Sequence, residues 1–279
     1  YFYFKNIWIL TNRKNTKKYN VIKNIHELKK INFEYLVISS NTTKHFNQLK
    51  YIENNFKSKK ILVEKPLFHK YKKLKIKNNK IFVGYNLRFH PIIKYLKKKV
   101  KNNKILDVKV ICNSFLPEWR KNIKYYNSSS ASKQKGGGVV LDLSHELDYV
   151  NWIMGNIKIN YSQKGKKSKL QINTEDYLKL IGKAGGANFS LDLNYFSRIP
   201  RRTIQIDCEK FSIFSDLINN TIEFKSKNKK FLKRFKKLNR NYTYYEQHKE
   251  ILKNKFSPNS CNFHSALKIM KLIDQIKRN

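Results

Sequence analysis

Four short patterns bring together residue types that can move protons or hold anions. They are Ser39-Ser40-Asn41-Thr42-Thr43-Lys44-His45, Glu64-Lys65-Pro66, Gly84-Tyr85-Asn86-Leu87-Arg88-Phe89-His90-Pro91, and the run GGGVVLDLSHELD from Gly136 to Asp148. Lys65 stands just before a proline that stiffens its turn, and a partly buried lysine can lose enough basicity to exchange protons near neutral pH. His145 follows Asp142 by three positions, so a helix would set both side chains on one face. Neither residue is informative alone: in a chain with 51 lysines a single lysine is ordinarily solvated, and a lone helical histidine is ordinarily structural. The order and spacing of all four patterns carry the reading.

The patterns need a scaffold, and the first part of the chain supplies one by alternating short apolar runs with helical spacing. Residues 6–10 (NIWIL), 35–39, 60–63 and 80–83 read as strands, and residues 25–30 and 44–56 as helices, which together predict βαβ units and a parallel sheet. The first three patterns follow such strands, where ligands bind in an open α/β sheet. After about Lys94 the strands become longer and antiparallel in character: residues 105–115, 157–164, 177–183, 188–196, 203–208 and 211–215. Gly185-Gly186 suits a tight hairpin that needs positive φ. One helix is expected after the Gly136-Gly137-Gly138 run, from Val140, Leu141, Leu143, Leu147, Val150 and Ile153, and two more over residues 242–255 and 262–277. The division predicts an α/β domain over residues 1–94 and an α+β domain with a large, mainly antiparallel sheet over 95–279.

Composition narrows the class. At 279 residues, with 40% hydrophobic and 14% aromatic residues, the chain can bury a large core and is not a solvated disordered polymer. No stretch approaches the roughly 18 apolar residues of a membrane span, and no signal-peptide order is seen, so a cytoplasmic protein is expected. Cys112, Cys208 and Cys261 are widely spaced, suggesting neither a disulfide framework nor a metal site. The net charge of +41 first suggests a phosphate-rich partner. Only 9 of the 60 basic residues are Arg, however, and Ala occurs 4 times, which is what A/T-rich codons produce on any fold. A nucleic-acid reader would concentrate charge and use Arg for paired contacts, so no specific nucleic-acid partner is expected. The densest run, residues 225–240 (KSKNKKFLKRFKKLNR), is the local candidate for an anionic partner and otherwise a solvated loop or helix face.

The ordered motifs resemble the family of NAD(P)-dependent sugar and cyclitol oxidoreductases that contains glucose–fructose oxidoreductase and inositol dehydrogenase. The resemblance is strongest at EKP, GYNLRFHP and GGGVVLDLSHELDYVNWIMG, while Leu116-Pro117-Glu118-Trp119-Arg120 and residues 125–134 look like its surface-polysaccharide and nucleotide-sugar branch. It implies a Rossmann-like sheet, a nicotinamide cofactor, and hydride transfer at a sugar or nucleotide-sugar hydroxyl. Lys65 and His145 would be the catalytic pair. Glu64, Lys65, Asn86 and Arg88 would line the nicotinamide side, and Ser40, Asn41 and His45 the loop beneath the cofactor. Trp119, Arg120, Asp142 and Asp148 would face the substrate. Many members place an aspartate four residues before the histidine, whereas Asp142 precedes His145 by three. Homo-oligomerisation through the C-terminal sheet is a further expectation.

One departure concerns the cofactor. The family's sheet opens with a glycine-rich turn, GxGxxG, whose helix N-terminus holds the pyrophosphate, and this sequence contains none. Residues 6–10 followed by Thr11-Asn12-Arg13-Lys14 read as the second strand and its loop, so an N-terminally truncated Rossmann-like sheet is expected, with weak dinucleotide binding or none. Arg13 and Lys14 would suit a 2′-phosphate, a lean toward NADP over NAD. Two alternatives stand beside the oxidoreductase: a non-catalytic sugar-binding remnant of the family, and a basic nucleic-acid-binding protein.

Overall fold

The computed structural model describes residues 6–11, 19–253 and 257–278. β1 (Trp8–Leu10) and β2 (Asn20–Ile22) form a parallel pair of their own, so residues 6–10 do make a strand but share no ladder with the larger sheets. The α/β unit continues through β3 (Tyr35–Ile38), α1 (Thr42–Asn55), β4 (Lys60–Val63), β5 (Lys80–Val83) and α2 (Pro91–Val100). β3, β4 and β5 pair in parallel, as expected from their short β-branched runs. α1 turns His45, Leu49 and Ile52 inward, a spacing of four and then three residues that makes one helical face.

The second unit opens with β6 (Ile105–Phe115), then α3 (Val139–Asp142), α4 (His145–Met154), β7 (Ile157–Gly165), β8 (Tyr177–Ala184), β9 (Ala187–Asn194), β10 (Phe196–Cys208), β11 (Phe211–Asp216), β12 (Thr221–Ser226) and β13 (Lys230–Arg234). These strands form one eight-stranded sheet in the order β13-β12-β11-β10-β6-β9-β8-β7, antiparallel throughout except between β6 and β9. β8 alternates buried Leu178, Leu180 and Ala184 with exposed Lys179, Ile181 and Lys183, so one sheet face lies under helices and the other is open. α3 and α4 cover the inner face. Gly185 and Gly186 turn the β8–β9 hairpin at φ 56° and 93°, and a Cβ at Gly185 would stand 1.8 Å from the Met154 carbonyl oxygen.

Three expectations need correction here. Residues 188–196 are not one strand, because the Asn194 side-chain oxygen accepts from the amides of Phe196 and Ser197 and turns the chain into β10. Residues 225–240 are not a loop or helix face throughout, since β12 and β13 form an edge hairpin in which Phe224 and Phe231 stack at 4.9 Å while Lys225, Lys230 and Lys233 face water. Nor does a single helix follow the glycine run: α3 ends at Asp142 and α4 begins at His145.

α5 (Tyr242–Lys253), β14 (Cys261–Asn262) and α6 (Phe263–Arg278) close the fold. β14 pairs antiparallel with β5 and extends the first sheet to the order β14-β5-β4-β3. One contiguous core runs from Ile38 in β3, through Leu96 in α2 and Leu147 in α4, to Ile276 in α6, so the two sheets are packed as one body. No helix among the described residues is long and apolar enough to cross a membrane. All three cysteines are buried and unpaired.

Candidate active site

The C-terminal ends of β3, β4 and β5 deliver the first three motifs to one edge of the parallel sheet. Lys65 follows β4 at a cis peptide bond to Pro66, and its Nζ donates to the main-chain oxygen of Asp142 at 2.6 Å. Glu64, partly buried beside it, is pushed up from the usual carboxylate range by burial, with the Lys65 charge opposing the shift. Gly84 at the end of β5 makes this turn possible: a Cβ there would lie 2.9 Å from Glu64 Oε2 and 3.2 Å from the Lys65 amide nitrogen. The glycine is needed for close approach rather than for its dihedral angles.

His145 opens α4 on the other side. The Tyr85 ring meets it edge-on at 5.7 Å, and Tyr85 Oη donates to Ser144 Oγ, which donates to the Leu141 oxygen. Burial, together with the positive charges of Lys65 and Arg202, holds the imidazole well below its ordinary pKa, so it is neutral and a weaker base than an ordinary histidine. Its Nδ1 is buried without a hydrogen-bond partner. Because the chain breaks between α3 and α4, Asp142 does not share a helix face with His145. Its carboxylate instead accepts from Tyr195 Oη at 2.6 Å, and the Trp119 indole meets the Tyr195 ring edge-on at 5.2 Å. Lys65, Asp142, Tyr195 and Trp119 thus form one connected series. Arg120 is exposed and lines an open depression of about 500 Å³ with Pro117, Ile123, Tyr125 and Tyr126, a depression that Lys65 and His145 do not line.

Other expected site residues are committed to internal contacts. Arg88 makes a two-pronged ion pair with Asp148, Nε to Oδ2 at 2.8 Å and Nη2 to Oδ1 at 2.6 Å, with both groups buried. Neither offers its charge to a nicotinamide or a sugar. Asn86 donates to Thr243 Oγ1 at 2.8 Å and anchors α5. His45 is buried with both ring nitrogens on main-chain oxygens. Ser40 Oγ donates to Gln48 Oε1, while Asn41 stays exposed at the start of α1. Arg13 and Lys14 lie outside the described residues. Among the described residues no cluster of His, Cys, Asp or Glu could hold a metal ion.

Sequence reasoning missed Tyr195 and Arg202. Nothing local marks Tyr195. Arg202 carried a usable signal, because in a chain that uses lysine almost everywhere an arginine marks a place needing its planar fork. Its Nε and Nη2 both donate to Oε1 of the fully buried Glu146, at 2.8 and 2.6 Å.

The comparisons with known proteins agree with the motif resemblance. Residues 97–228 match the family described as "Oxidoreductase family, C-terminal alpha/beta domain". No curated protein sequence matches the chain. Among solved structures, levoglucosan dehydrogenase in complex with NADH and levoglucosan is similar at a TM-score of 0.78 and 14% identity, over 93% of this chain and 81% of that one. The UDP-N-acetylglucosamine 3-dehydrogenase GnnA from Acidithiobacillus ferrooxidans aligns at 0.71 and 14% identity, over 94% and 82%. The WlbA dehydrogenase from Bordetella pertussis in complex with NADH and UDP-GlcNAcA aligns at 0.71 and 16%, over 93% and 81%.

Proposed function

We propose that this chain, whose residues 97–228 carry the C-terminal domain of that oxidoreductase family, is an NAD(P)-dependent oxidoreductase of a sugar or nucleotide-sugar hydroxyl. The observation that carries the reading is the Lys65 contact. It holds a cation from the parallel sheet against the Asp142 end of α3, close enough to His145 for its charge to act on a neutral imidazole.

The residues at the strand ends fit the nicotinamide end of a dinucleotide, since Gly84 leaves the space into which the Glu64 carboxylate turns. Glu64 and Lys65, with Ser40 and Asn41 at the end of β3, would hold it. A bound nicotinamide supplies the acceptor or donor of the hydride. Lys65 would orient the reacting hydroxyl by donating to its oxygen, and His145 would take the hydroxyl proton as the carbon is oxidised, returning it in the reverse direction. Trp119, set against Tyr195, would form an apolar wall for the sugar ring. NADH is the first cofactor to test, because it is bound in the similar dehydrogenase structures. The two UDP-sugar dehydrogenases among those structures favour a nucleotide sugar over a free sugar, and with it a role in surface polysaccharide synthesis.

The experiment is a thermal-shift titration with NADH and NADPH into the millimolar range, then turnover with UDP-sugars and free sugars followed by nicotinamide absorbance. A ligand at 100 times its Kd stabilises a fold by about 2.7 kcal/mol, an easily read shift. A flat titration with both cofactors would overturn the reading.

A further inference from the structure

Both ring nitrogens of His45 face main-chain carbonyl oxygens. Nε2 lies 3.0 Å from the Ser40 oxygen, and Nδ1 lies 3.2 Å from both the Pro66 and the Leu67 oxygens. A carbonyl oxygen only accepts, whereas a neutral imidazole has one N–H and one bare lone pair. Whichever tautomer forms, a lone pair on one side of the ring is set against an oxygen. Only the doubly protonated ring donates on both sides. His45 is 1% exposed on the inward face of α1, so solvent water does not reach it to relieve the mismatch.

We propose that His45 is a positioning residue for Lys65: it ties the Lys65-Pro66-Leu67 turn to the loop after β3, and the tie is complete only when the ring carries two protons. The inference rests on the reading of Lys65 as a proton-handling group. Ser40 and Leu67 belong to the loops after β3 and β4, the two strand ends that would flank a cofactor. When the ring loses a proton one link opens, and the turn that carries Lys65 is held from one side only.

The surroundings set the direction of this dependence. His69, in the segment after β4, is the titrating neighbour: its ring feels the charge of His45 as well as Lys70 and Lys72 beside it and Lys277 from α6. Among the described residues no carboxylate is one of the groups that shift His45. Burial holds the ring below its ordinary pKa, and the hydrogen bonds to the Ser40, Pro66 and Leu67 oxygens oppose burial. The tie therefore closes on the acid side of the usual histidine range and opens as pH rises.

Ring and amide NMR of the intact chain across pH tests this without requiring turnover. At the acid end both His45 nitrogens should carry protons. As one is lost, the amides of Lys65, Leu67 and Asn41 should shift with the same midpoint. His45→Gln, whose amide cannot donate on both sides, should abolish that midpoint, and His69→Asn should leave it in place. If His45→Gln does not fold, the titrations of the wild type and of His69→Asn decide. The proposal is overturned if His45 keeps a single N–H throughout, or if the amides of the turn follow His69 instead. Should the coupling be present while Lys65→Ala turns over normally, the tie stands and the assigned role of Lys65 falls.

Discussion

Lys65 and Asp142 meet through one hydrogen bond, 2.6 Å from an amino group at the end of the parallel sheet to the main-chain oxygen at the end of α3. That oxygen is the last of a short helix, where carbonyls lack helical partners. The bond therefore satisfies a helix end and fixes a candidate catalytic side chain at once, three residues before α4 begins with His145.

Lys65→Ala should lower kcat by roughly 10²–10⁴, the usual loss for a general acid or base, with a much smaller loss of dinucleotide affinity, since Glu64, Ser40 and Asn41 would still hold the cofactor. Steady-state kinetics beside a binding titration would check this. Turnover close to that of the parent would remove Lys65 from the mechanism.

His90 caps α2, its Nδ1 accepting from the Ile92 amide, a bond that needs the neutral ring. Burial and the Arg202 charge lower its pKa to about 4 from the ordinary 6.5. An unfolded chain binds this proton more readily, so the contribution is fully present above pH 6.5 and is lost as pH falls toward 4, by roughly 3 kcal/mol. Denaturant melts from pH 7 to 4 should show that slope and show it reduced in His90→Asn, which still caps. Equal slopes in the two proteins would contradict the assignment.

The Arg88–Asp148 pair predicts an asymmetry. Asp148→Ala strands a buried guanidinium and should cost about 3–5 kcal/mol, whereas the double replacement Arg88→Met with Asp148→Leu should cost far less. Denaturation midpoints would tell, and a single variant as stable as the double one would refute the account.

On the open face of the large sheet, register links Tyr161 to Ile181, and links Phe214 through Glu223 to Leu232. These four apolar side chains are between 43% and 58% exposed. They form two exposed pairs on one sheet face, with Ser190, Lys109 and Gln205 between them in register, and predict a second copy of the chain packed sheet face on sheet face. Light scattering should give a dimer mass that Ile181→Lys with Phe214→Glu reduces to a monomer. A monomeric parent protein would end this proposal.

Lys225 and Lys230 are register partners on the solvent side of β12 and β13, whereas Lys229 and Lys233 lie over the rings of Phe231 and Phe235. Binding to duplex DNA or structured RNA should accordingly collapse between about 50 and 200 mM salt, as a purely electrostatic contact does. Sequence-selective binding that survives physiological salt would reverse this reading.

Local chemistry alone made the strand ends, the glycine hairpin and the place of Glu64-Lys65-Pro66 legible, because a short β-branched run, a proline and a glycine pair each constrain the backbone within a few residues. The partners of the polar side chains were not legible. Arg88 pairs with a carboxylate 60 residues away, Asp142 with a tyrosine 53 residues away, and His45 with oxygens 21 and 22 residues away. A buried polar group must find a partner or bear the cost of desolvation, and only the packed chain determines which partner lies within reach. For that reason residues expected to contact ligands, Arg88, Asp148, Asn86 and His45, became the struts of the site. The break between α3 and α4 likewise turned Asp142 away from His145, since helical spacing governs neighbours only while the helix continues.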